Sequence, residues 1–334
     1  MTEMQPKLAP PGVRRRYEHI CDWLAAHEIE YSHEALLSFA VASKSSRVRK
    51  VLREFQNIDR KIPSDAVVLV LGLGAVHMLL LALYLRFAST TRRRVVYDTC
   101  DSWLLQVKAR FGAGGLPLAL PSVAGLVLQA LVGRSLSISY ISQRDQRSDR
   151  WVNLCGTVFI VGPSPSRVLL DTSNLNAVAG RIDRVCVSAD YDAFHNEAGM
   201  KVLRDAWHSL NFAPSELGLH LYGQGVPIHI RGSVLKGWAS NILDVYSGNS
   251  AVFIPNMGGS GVPNKLIDAL AARRPVLIHK SASGGLEENP LVFIFEDDLE
   301  LAKILQRLSD VDFTDLQLAS IPAFSELPEW MADK

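Results

Sequence analysis

Residues 253–286 constrain the fold of this chain more than any other stretch. Their sequence, FIPNMGGSGVPNKLIDALAARRPVLIHKSASGGL, has an apolar run, a glycine-rich segment, an amphipathic stretch and a second apolar run that leads to a glycine pair. This order predicts a strand, a loop, a helix and a second strand parallel to the first. Because helices must then cover both faces of the sheet, the segment predicts an α/β fold.

The glycine-rich loop in this segment predicts an anion-binding site. Gly259 and Gly261 allow backbone N–H groups to approach a ligand closely. Lys265 is expected in the first turn of the following helix, where the helix dipole already favours an anion. Asp268 follows on the same helix face and can accept hydrogen bonds from vicinal hydroxyls. Since a nucleotide sugar carries both a diphosphate and a ribose, the pattern predicts a site for such a ligand.

The organisation of the chain predicts two domains. A length of 334 residues exceeds that of one ordinary core. Strand and helix patterns alternate on both sides of a segment rich in Pro, Ser and Asn. We predict an N-terminal domain at residues 1–165, a linker at 166–182, a C-terminal domain at 183–315, and a tail at 316–334 that packs back on the first domain. Both domains are predicted to be doubly wound sheets, in which ligands bind at the carboxyl ends of the strands.

The predicted elements follow from apolar periodicity and turn residues. The predicted strands are residues 67–71, 94–97, 137–141, 157–161, 184–188, 217–222, 228–231, 251–254, 276–279 and 291–295. The main predicted helices are residues 14–26, 45–60, 76–86, 123–132, 196–210, 239–246, 264–272 and 298–309.

Residues 66–85 allow a second interpretation, because 20 residues without Asp, Glu, Lys or Arg are long enough to cross a bilayer. Gly72 and Gly74 divide this stretch into a β-branched run and a leucine-rich run, which favours a buried strand, a tight turn and a buried helix. The N-terminus lacks the apolar core of a signal peptide, and the four cysteines form no CxxC pair. We therefore expect a cytoplasmic protein without a zinc site or a disulfide framework.

The charge distribution limits the partners. Lys and Arg number 35 and Asp and Glu 34, so no overall attraction to nucleic acid is expected. The basic residues cluster at residues 14–16, 44–60 and 92–94. These clusters leave two interpretations open, a solvated basic face or peripheral contact with the anionic inner face of a membrane.

Several motifs in residues 183–308 occur in a specific order. The pattern G-x-G-x-x-x-K-x-x-D-A-L-A runs from Gly259 to Ala271. Upstream, Tyr191-Asp-Ala-Phe-His-Asn196 is followed by Leu221-Tyr-Gly223. Together these motifs resemble the donor-binding domain of a GT-B glycosyltransferase, similar to the retaining family 4 of glycosyltransferases.

The resemblance implies two Rossmann-like domains that face each other across a cleft. It implies transfer of a sugar, with retention and without a metal, from a UDP- or GDP-type donor to a hydroxyl acceptor. The acceptor would be a glycan, a lipid-linked glycan or a small molecule, in polysaccharide or glycoconjugate biosynthesis. No cofactor beyond the nucleotide sugar is implied, and the oligomeric state is left open.

The same resemblance assigns candidate residues. Lys265, Asp268 and His77 are the candidates for catalysis. The candidates for donor binding lie in the glycine loop, in the adjoining helix and at four further turns: Gly259, Ser260, Gly261, Val262, Asn264, Lys265, Asp268, Gly223, Arg231, Asn196 and Gly12.

Departures from the family pattern keep other functions open. Ser260 stands where the commonest pattern has a glutamate, and Ser188 or Ala189 where it has a glycine, so a non-catalytic nucleotide-sugar binder or partner subunit is one alternative. A sugar-nucleotide epimerase of the same fold would need carboxylates that face the sugar. A nicotinamide-dependent oxidoreductase is indicated only by the glycines at 72 and 74 and by Asp98 after the next strand.

Overall fold

The structure is a computed structural model. It describes residues 11–26, 28–31, 47–63, 66–71, 80–81, 83–84, 95–98, 102, 105, 136–149, 158–160, 162–163, 165–170, 180–210, 217–225, 227–258, 260–310 and 313. The chain divides into two compact units; the described residues of the first fall within residues 1–164, and those of the second within residues 165–323. The predicted tail at 316–334 lies outside the described residues.

The first unit contains a parallel sheet of four described strands in the order β1-β2-β3-β4. These strands are β1 (Val68–Leu71), β2 (Val95–Asp98), β3 (Leu136–Tyr140) and β4 (Val158–Ile160). Its described helices are α1 (Pro11–Ala26), α2 (Arg47–Lys61) and α3 (Gln143–Asp149). The predicted strand at 67–71 is therefore confirmed as β1.

Helix α2 contains many of the basic residues of the N-terminal half and is amphipathic. Val51, Phe55 and Ile58 lie on one face of this helix and are buried against Val70 and other core residues. Arg53 and Arg60 are exposed on its opposite side. The apolar face of α2 therefore packs into the core, and its charged face lies towards solvent.

The second unit contains a parallel sheet of six strands in the order β10-β9-β8-β5-β6-β7. The strands are β5 (Arg184–Asp190), β6 (Gly218–Gln224), β7 (Ser233–Gly237), β8 (Ser250–Ile254), β9 (Val276–His279) and β10 (Val292–Phe295). The chain starts in the middle at β5, moves outwards to β7, and then crosses to β8 on the other side of β5. The pair β5 and β8 is therefore the topological switch point, outside which open α/β sheets bind ligands.

The helices of the second unit are α4 (Arg167–Leu170), α5 (Phe194–Ser209), α6 (Leu243–Tyr246), α7 (Asn264–Ala271) and α8 (Asp298–Asp310). The central strands read as nearly continuous apolar runs, and β8 is buried at all five positions. Burial on both faces explains this pattern, since helices cover a parallel sheet on both sides. No helix in the described ranges is long and apolar enough to span a membrane.

Four elements differ from the sequence-based predictions, and one of them is the helix predicted at 239–246, which begins only at Leu243. The strand expected at 228–231 is irregular, and β7 begins at Ser233 instead. Ile230 is buried without strand geometry, because a turn at Gly232, with φ +77°, separates it from β7. The polar residues after β3 form helix α3, and the short helix α4 lies within the predicted linker. The predicted helix at 123–132 and most of that at 76–86 lie outside the described residues.

Candidate functional site

The candidate site lies at the carboxyl ends of β5 and β8. Asp190 ends β5 and leads into helix α5, while Ile254 ends β8 and leads into the glycine loop, residues 255–263. A backbone hydrogen bond of 3.3 Å from Met257 N to His195 O joins this loop to the first turn of α5. Gly199 lies one turn further along, and a Cβ there would stand 2.0 Å from the carbonyl oxygen of Pro255. The start of α5 therefore packs directly against the glycine loop.

The glycine loop adopts a conformation that depends on its glycines. Gly258 has φ +82° and Gly261 has φ +75°, both in the left-handed region that disfavours other residues. The Oγ of Ser260 between them is buried and has no hydrogen-bond partner in the described part of the chain. Val262 is buried. Gly259 lies outside the described residues.

Helix α7 follows the loop and carries Lys265 in its first turn. Pro263 precedes its first residue, Asn264, in a position where the missing N–H costs no helical hydrogen bond. The Lys265 side chain is largely buried, and no described residue lies within hydrogen-bond or ion-pair distance of its ammonium. Burial lowers the pKa of Lys265, while the carboxylates of Asp190 and Asp268 oppose that decrease. A largely buried cation at a helix N-terminus is suited to an anionic ligand.

The first turn of α5 adds a second set of polar groups. Asn196 is 1% exposed, and its Nδ2 donates a 2.7 Å hydrogen bond to the backbone oxygen of Asp190. Its Oδ1 is buried and accepts no hydrogen bond from the residues that the structure describes. Burial, and then the charge of Lys265, lowers the pKa of His195, whereas Asp190 opposes this change. The imidazole is therefore held towards its neutral form beside Lys265.

Asp268 lies one turn after Lys265 on α7 and is 2% exposed. Its Oδ1 accepts a 2.8 Å hydrogen bond from the backbone N–H of Ser166, which directly precedes helix α4. The side chain thus joins α7 to the segment that was predicted to be a linker. A carboxylate accepts several hydrogen bonds at once, so this bond is compatible with a further contact to a hydroxyl.

Gly223 and Arg231 lie on opposite sides of the sheet along the strand direction, Gly223 at the carboxyl ends of the strands and Arg231 at their amino ends. Gly223 is near the carboxyl end of β6 with φ +136°, and a Cβ there would stand 1.7 Å from the carbonyl oxygen of Ala189. The backbone of Arg231 contacts the last turn of α5, through Trp207 Nε1 at 3.2 Å and His208 Nε2 at 3.1 Å. Helix α5 begins at the carboxyl ends of the strands, where Lys265 lies, and ends at their amino ends. Arg231 contacts the end of this helix and is therefore not brought together with Lys265.

The remaining candidates belong to the first unit. Gly12 lies in the first turn of α1, and His77 lies outside the described residues. Asp98, which ends β2, is 1% exposed and forms a 2.7 Å ion pair with Arg16. Arg16 also donates a 2.8 Å hydrogen bond to the carbonyl oxygen of Gly162. The acid that an oxidoreductase would use for ribose is therefore engaged by an arginine.

Sequence reasoning did not single out two groups of this site. Asp190 and His195 both interact electrostatically with Lys265. Gln224 Nε2 also donates a 3.1 Å hydrogen bond to Asp190 Oδ2. An acidic residue at the end of a buried strand was the available signal for Asp190, since the carboxyl ends of parallel strands meet on one side of the sheet.

Solved structures resemble the chain over nearly its full length. A glycosyltransferase from Rickettsia africae has a TM-score of 0.63 at 12% identity, with 94% of this chain and 85% of that chain covered. WaaG, a glycosyltransferase involved in lipopolysaccharide biosynthesis, has a TM-score of 0.60 at 14% identity, with 99% and 97% covered. HepE from Anabaena, solved in complex with UDP, has a TM-score of 0.59 at 14% identity, with 90% and 81% covered.

These similarities establish the fold as GT-B, with two Rossmann-like domains, as the sequence predicted. No model of a known protein family matches the chain. A search of curated proteins finds no match either.

Proposed function

We propose that this protein is a glycosyltransferase that takes a sugar from a nucleoside diphosphate sugar and transfers it to a hydroxyl group. One observation carries the proposal: a largely buried lysine lies at the switch point of the second unit, where the N-terminal turns of two helices meet the glycine loop. The GT-B fold and the UDP complex of one similar structure support a nucleotide sugar as the donor.

The diphosphate of the donor would bind at the glycine loop and Lys265. Each helix N-terminus is equivalent to a partial positive charge, and α5 and α7 both begin at this loop. Negative charge grows on the leaving nucleoside diphosphate as the glycosidic bond breaks. The ammonium of Lys265 and the backbone N–H groups around Gly261 would stabilise that charge without reorganising.

The pKa of Lys265 fits this role. Burial disfavours the ammonium in the free protein, and a diphosphate beside it would favour the charged form again. Asp190 and Asp268 offset part of the lysine charge, so the ligand competes with two carboxylates. Asp190 is exposed, so solvent screens the attraction between its carboxylate and the Lys265 ammonium.

The hydroxyl groups of the donor would be bound by acceptor atoms around the diphosphate. Asp268 would hold the ribose with the carboxylate that also accepts from Ser166. Asn196 presents a buried Oδ1 beside the loop, and Ser260 a buried hydroxyl within it. Both groups would gain partners from a bound ligand, which removes the cost of leaving a buried polar atom unpaired.

We extend the proposal to the course of the reaction. Transfer with retention, without a metal and without a bound cofactor, is the course that the family resemblance implies. A β-phosphate oxygen would accept the proton of the acceptor hydroxyl on the face from which the diphosphate leaves. A UDP- or GDP-linked hexose is the proposed donor, and a glycan, a lipid-linked glycan or a small molecule is the proposed acceptor. A role in the cytoplasm, with peripheral contact to an anionic membrane, belongs to the same proposal.

A screen of thermal stabilisation followed by turnover tests the proposal. UDP, GDP, dTDP and NADH are added separately, since a ligand that binds the folded state raises the unfolding midpoint. We expect UDP or GDP to raise the midpoint, and the matching nucleotide sugars to release nucleoside diphosphate when an acceptor is present. Stabilisation by NADH alone would favour an oxidoreductase. Nucleotide binding with no release across many donors and acceptors would favour a non-catalytic binder.

A further inference from the structure

A chain of three hydrogen-bonding groups joins the end of β9 to the glycine loop. The backbone N–H of Gly258 donates a 2.7 Å hydrogen bond to the Oγ of Ser281. Ser281 lies in the short 3₁₀ helix Lys280–Ala282, which directly follows β9. The Nδ1 of His279, the last residue of β9, lies 2.6 Å from the same Oγ. The serine hydroxyl therefore stands between the imidazole and the loop.

The chemistry of these groups fixes which atom donates. The backbone N–H of Ser281 lies 3.1 Å from His279 Nδ1, and an N–H can only donate, so Nδ1 is an acceptor. The imidazole hydrogen is then on Nε2, which lies 3.2 Å from the carbonyl oxygen of Glu296. The Ser281 hydroxyl gives its hydrogen to Nδ1 and accepts from Gly258 with a lone pair.

The orientation of the imidazole is itself held by packing. The His279 ring contacts the ring of Phe295 edge-on, with centroids 5.6 Å apart and an interplanar angle of 76°. Phe295 is completely buried at the end of β10. The acceptor atom of His279 is thus aimed by a rigid part of the core.

A second contact supports the loop from the same segment. Gly284 has φ +66°, and a Cβ there would stand 2.9 Å from Cγ2 of Val262. The segment after β9 therefore contacts the glycine loop at two points. It accepts a hydrogen bond from Gly258 near the start of the loop and packs against Val262 near its end. Glycines at positive φ have many accessible conformations, so a loop built on them needs such external support to keep one shape.

We propose that Ser281 and His279 are positioning residues that hold the glycine loop in its ligand-binding conformation. Ser281 acts on the loop directly, and His279 acts only through Ser281. The consequence for ligand affinity rests on the proposed function, whereas the effect on the conformation of the loop does not. Neither residue touches the ligand in this account.

Hydrogen–deuterium exchange of the peptide that contains Gly258 tests the conformational part without any ligand. We expect Ser281→Ala to speed exchange of that peptide by roughly threefold to tenfold, which is the loss of one net hydrogen bond. Ser281→Thr keeps the hydroxyl and should restore wild-type exchange. Ser283→Ala is the matched control, because Ser283 is a buried serine that bonds to the Lys280 carbonyl oxygen and to Glu287 instead.

Two variants of His279 keep the test informative if Ser281→Ala folds poorly. His279→Asn retains a side-chain acceptor that can cap Ser281 and should exchange like the wild type. His279→Leu removes the acceptor and should exchange like Ser281→Ala. Wild-type exchange in both Ser281→Ala and His279→Leu would overturn the proposal.

Isothermal titration with UDP and GDP then separates the two proposals. If the wild type binds either nucleotide, Ser281→Ala and His279→Leu should bind it roughly threefold to tenfold more weakly, and Ser283→Ala equally well. Faster exchange of the loop without nucleotide binding by the wild type would refute the proposed function and retain the positioning role. Equal affinity in all variants would refute the role of Ser281 and His279 and retain the function.

Discussion

The buried carboxylate of Asp268 accepts a 2.8 Å hydrogen bond from the backbone N–H of Ser166. This bond connects the helix that carries Lys265 to a residue 102 positions earlier in the chain. Asp268 thus has a structural role that is independent of any ligand. Substitutions at this position must separate that role from the proposed contact with ribose.

We predict that Asp268→Ala is less stable than Asp268→Asn, whereas both variants change nucleotide binding in the same direction. Ala leaves the Ser166 N–H without this acceptor and should lower the free energy of unfolding by about 1–3 kcal/mol. Asn keeps an acceptor oxygen for Ser166, so its unfolding midpoint should stay near the wild-type value. Both lose the charge that strengthens a bond from ribose, and both lose a carboxylate that competes with the diphosphate. Both should therefore bind UDP or GDP more weakly relative to inorganic diphosphate, which has no ribose. If the ratio of the two affinities in Asp268→Asn equals that of the wild type, the ribose role is wrong.

Three glycines of the second unit allow strain and steric clash to be measured separately. Gly232 has φ +77° with open space around it, so Gly232→Ala should cost only about 1–2 kcal/mol of left-handed strain. Gly199 is helical, but its added Cβ would meet the Pro255 carbonyl oxygen at 2.0 Å. Gly223 combines φ +136° with a contact of 1.7 Å to the Ala189 carbonyl oxygen.

We expect Gly223→Ala to be the most destabilising of the three, with a loss above about 3 kcal/mol, because the clash is with backbone and cannot be relieved by a rotamer change. Denaturant unfolding of the three variants measures this order. A smaller loss for Gly223→Ala than for Gly232→Ala would contradict the packing of β6 against β5. If a Gly223 variant also binds nucleotide more weakly, its loss of stability must be taken into account before the weaker binding is assigned to a lost ligand contact.

A buried acidic cluster in the first unit predicts a pH dependence of stability. Asp149 is 1% exposed, and its Oδ1 accepts a 2.7 Å hydrogen bond from Ser102 Oγ. Burial, aided by the nearby charge of Asp145, raises the pKa of Asp149 to about 6 from 3.8, although the bond from Ser102 acts in the opposite direction. The folded state therefore binds this proton more tightly than the unfolded state does.

The sign follows from proton linkage. Below pH 3.8 Asp149 is protonated in both the folded and the unfolded state, so its raised pKa does not lower the free energy of unfolding. As the pH rises from 3.8 to about 6, the unfolded state loses its proton first, and the free energy of unfolding falls by up to roughly 3 kcal/mol. Asp149→Asn keeps an acceptor for Ser102 and removes the charge, so it should be more stable than the wild type at pH 7 and similar at pH 4.

Calorimetric unfolding at several pH values checks this prediction. The exposed Glu30 provides the control, because Glu30→Gln also removes one carboxylate from the first unit but without burial. We expect the advantage of Asp149→Asn to grow as the pH rises from 3.8 and to be complete above about pH 6. An Asp149→Asn midpoint that stays below the wild-type value at pH 7 would show that the charge stabilises the cluster instead.

Much of the second unit could be predicted from the sequence, since its central strands, such as β8 and β9, are buried on both faces. The strand at Val276–His279 was predicted to the residue, and the helix that begins at Asn264 to within one residue at its end. The strand β7 was misplaced because alternating Ile228 and Ile230 have the period of a strand. Ile230 is buried by tertiary packing alone, with the turn at Gly232 after it.

Local sequence patterns predicted only the part of the candidate site whose residues are close in sequence, while the distant Asn196 was assigned by the family resemblance. The glycine loop, Lys265 and Asp268 lie in one strand–loop–helix unit, and their pattern predicts an anion site. The bond from Ser166 to Asp268 and the contact of Ser281 with Gly258 join residues that are distant in sequence, so no local pattern contains them. The position of Arg231 beside the last turn of α5 was not predictable, because an arginine beside a strand gives no sign of which end of the strand it occupies.

Calorimetric titration of the protein with UDP and GDP tests the central claim, which is nucleoside diphosphate binding at the glycine loop and Lys265. We predict that the wild type binds at least one of the two and that Lys265→Ala binds it at least about tenfold more weakly, a loss of about 1.4 kcal/mol. Lys201→Ala is the control, because Lys201 is an exposed lysine of α5 that pairs with Glu197. Lys201→Ala should bind like the wild type. Binding that Lys265→Ala leaves unchanged, or no binding of either nucleotide by the wild type, would refute the diphosphate site at Lys265.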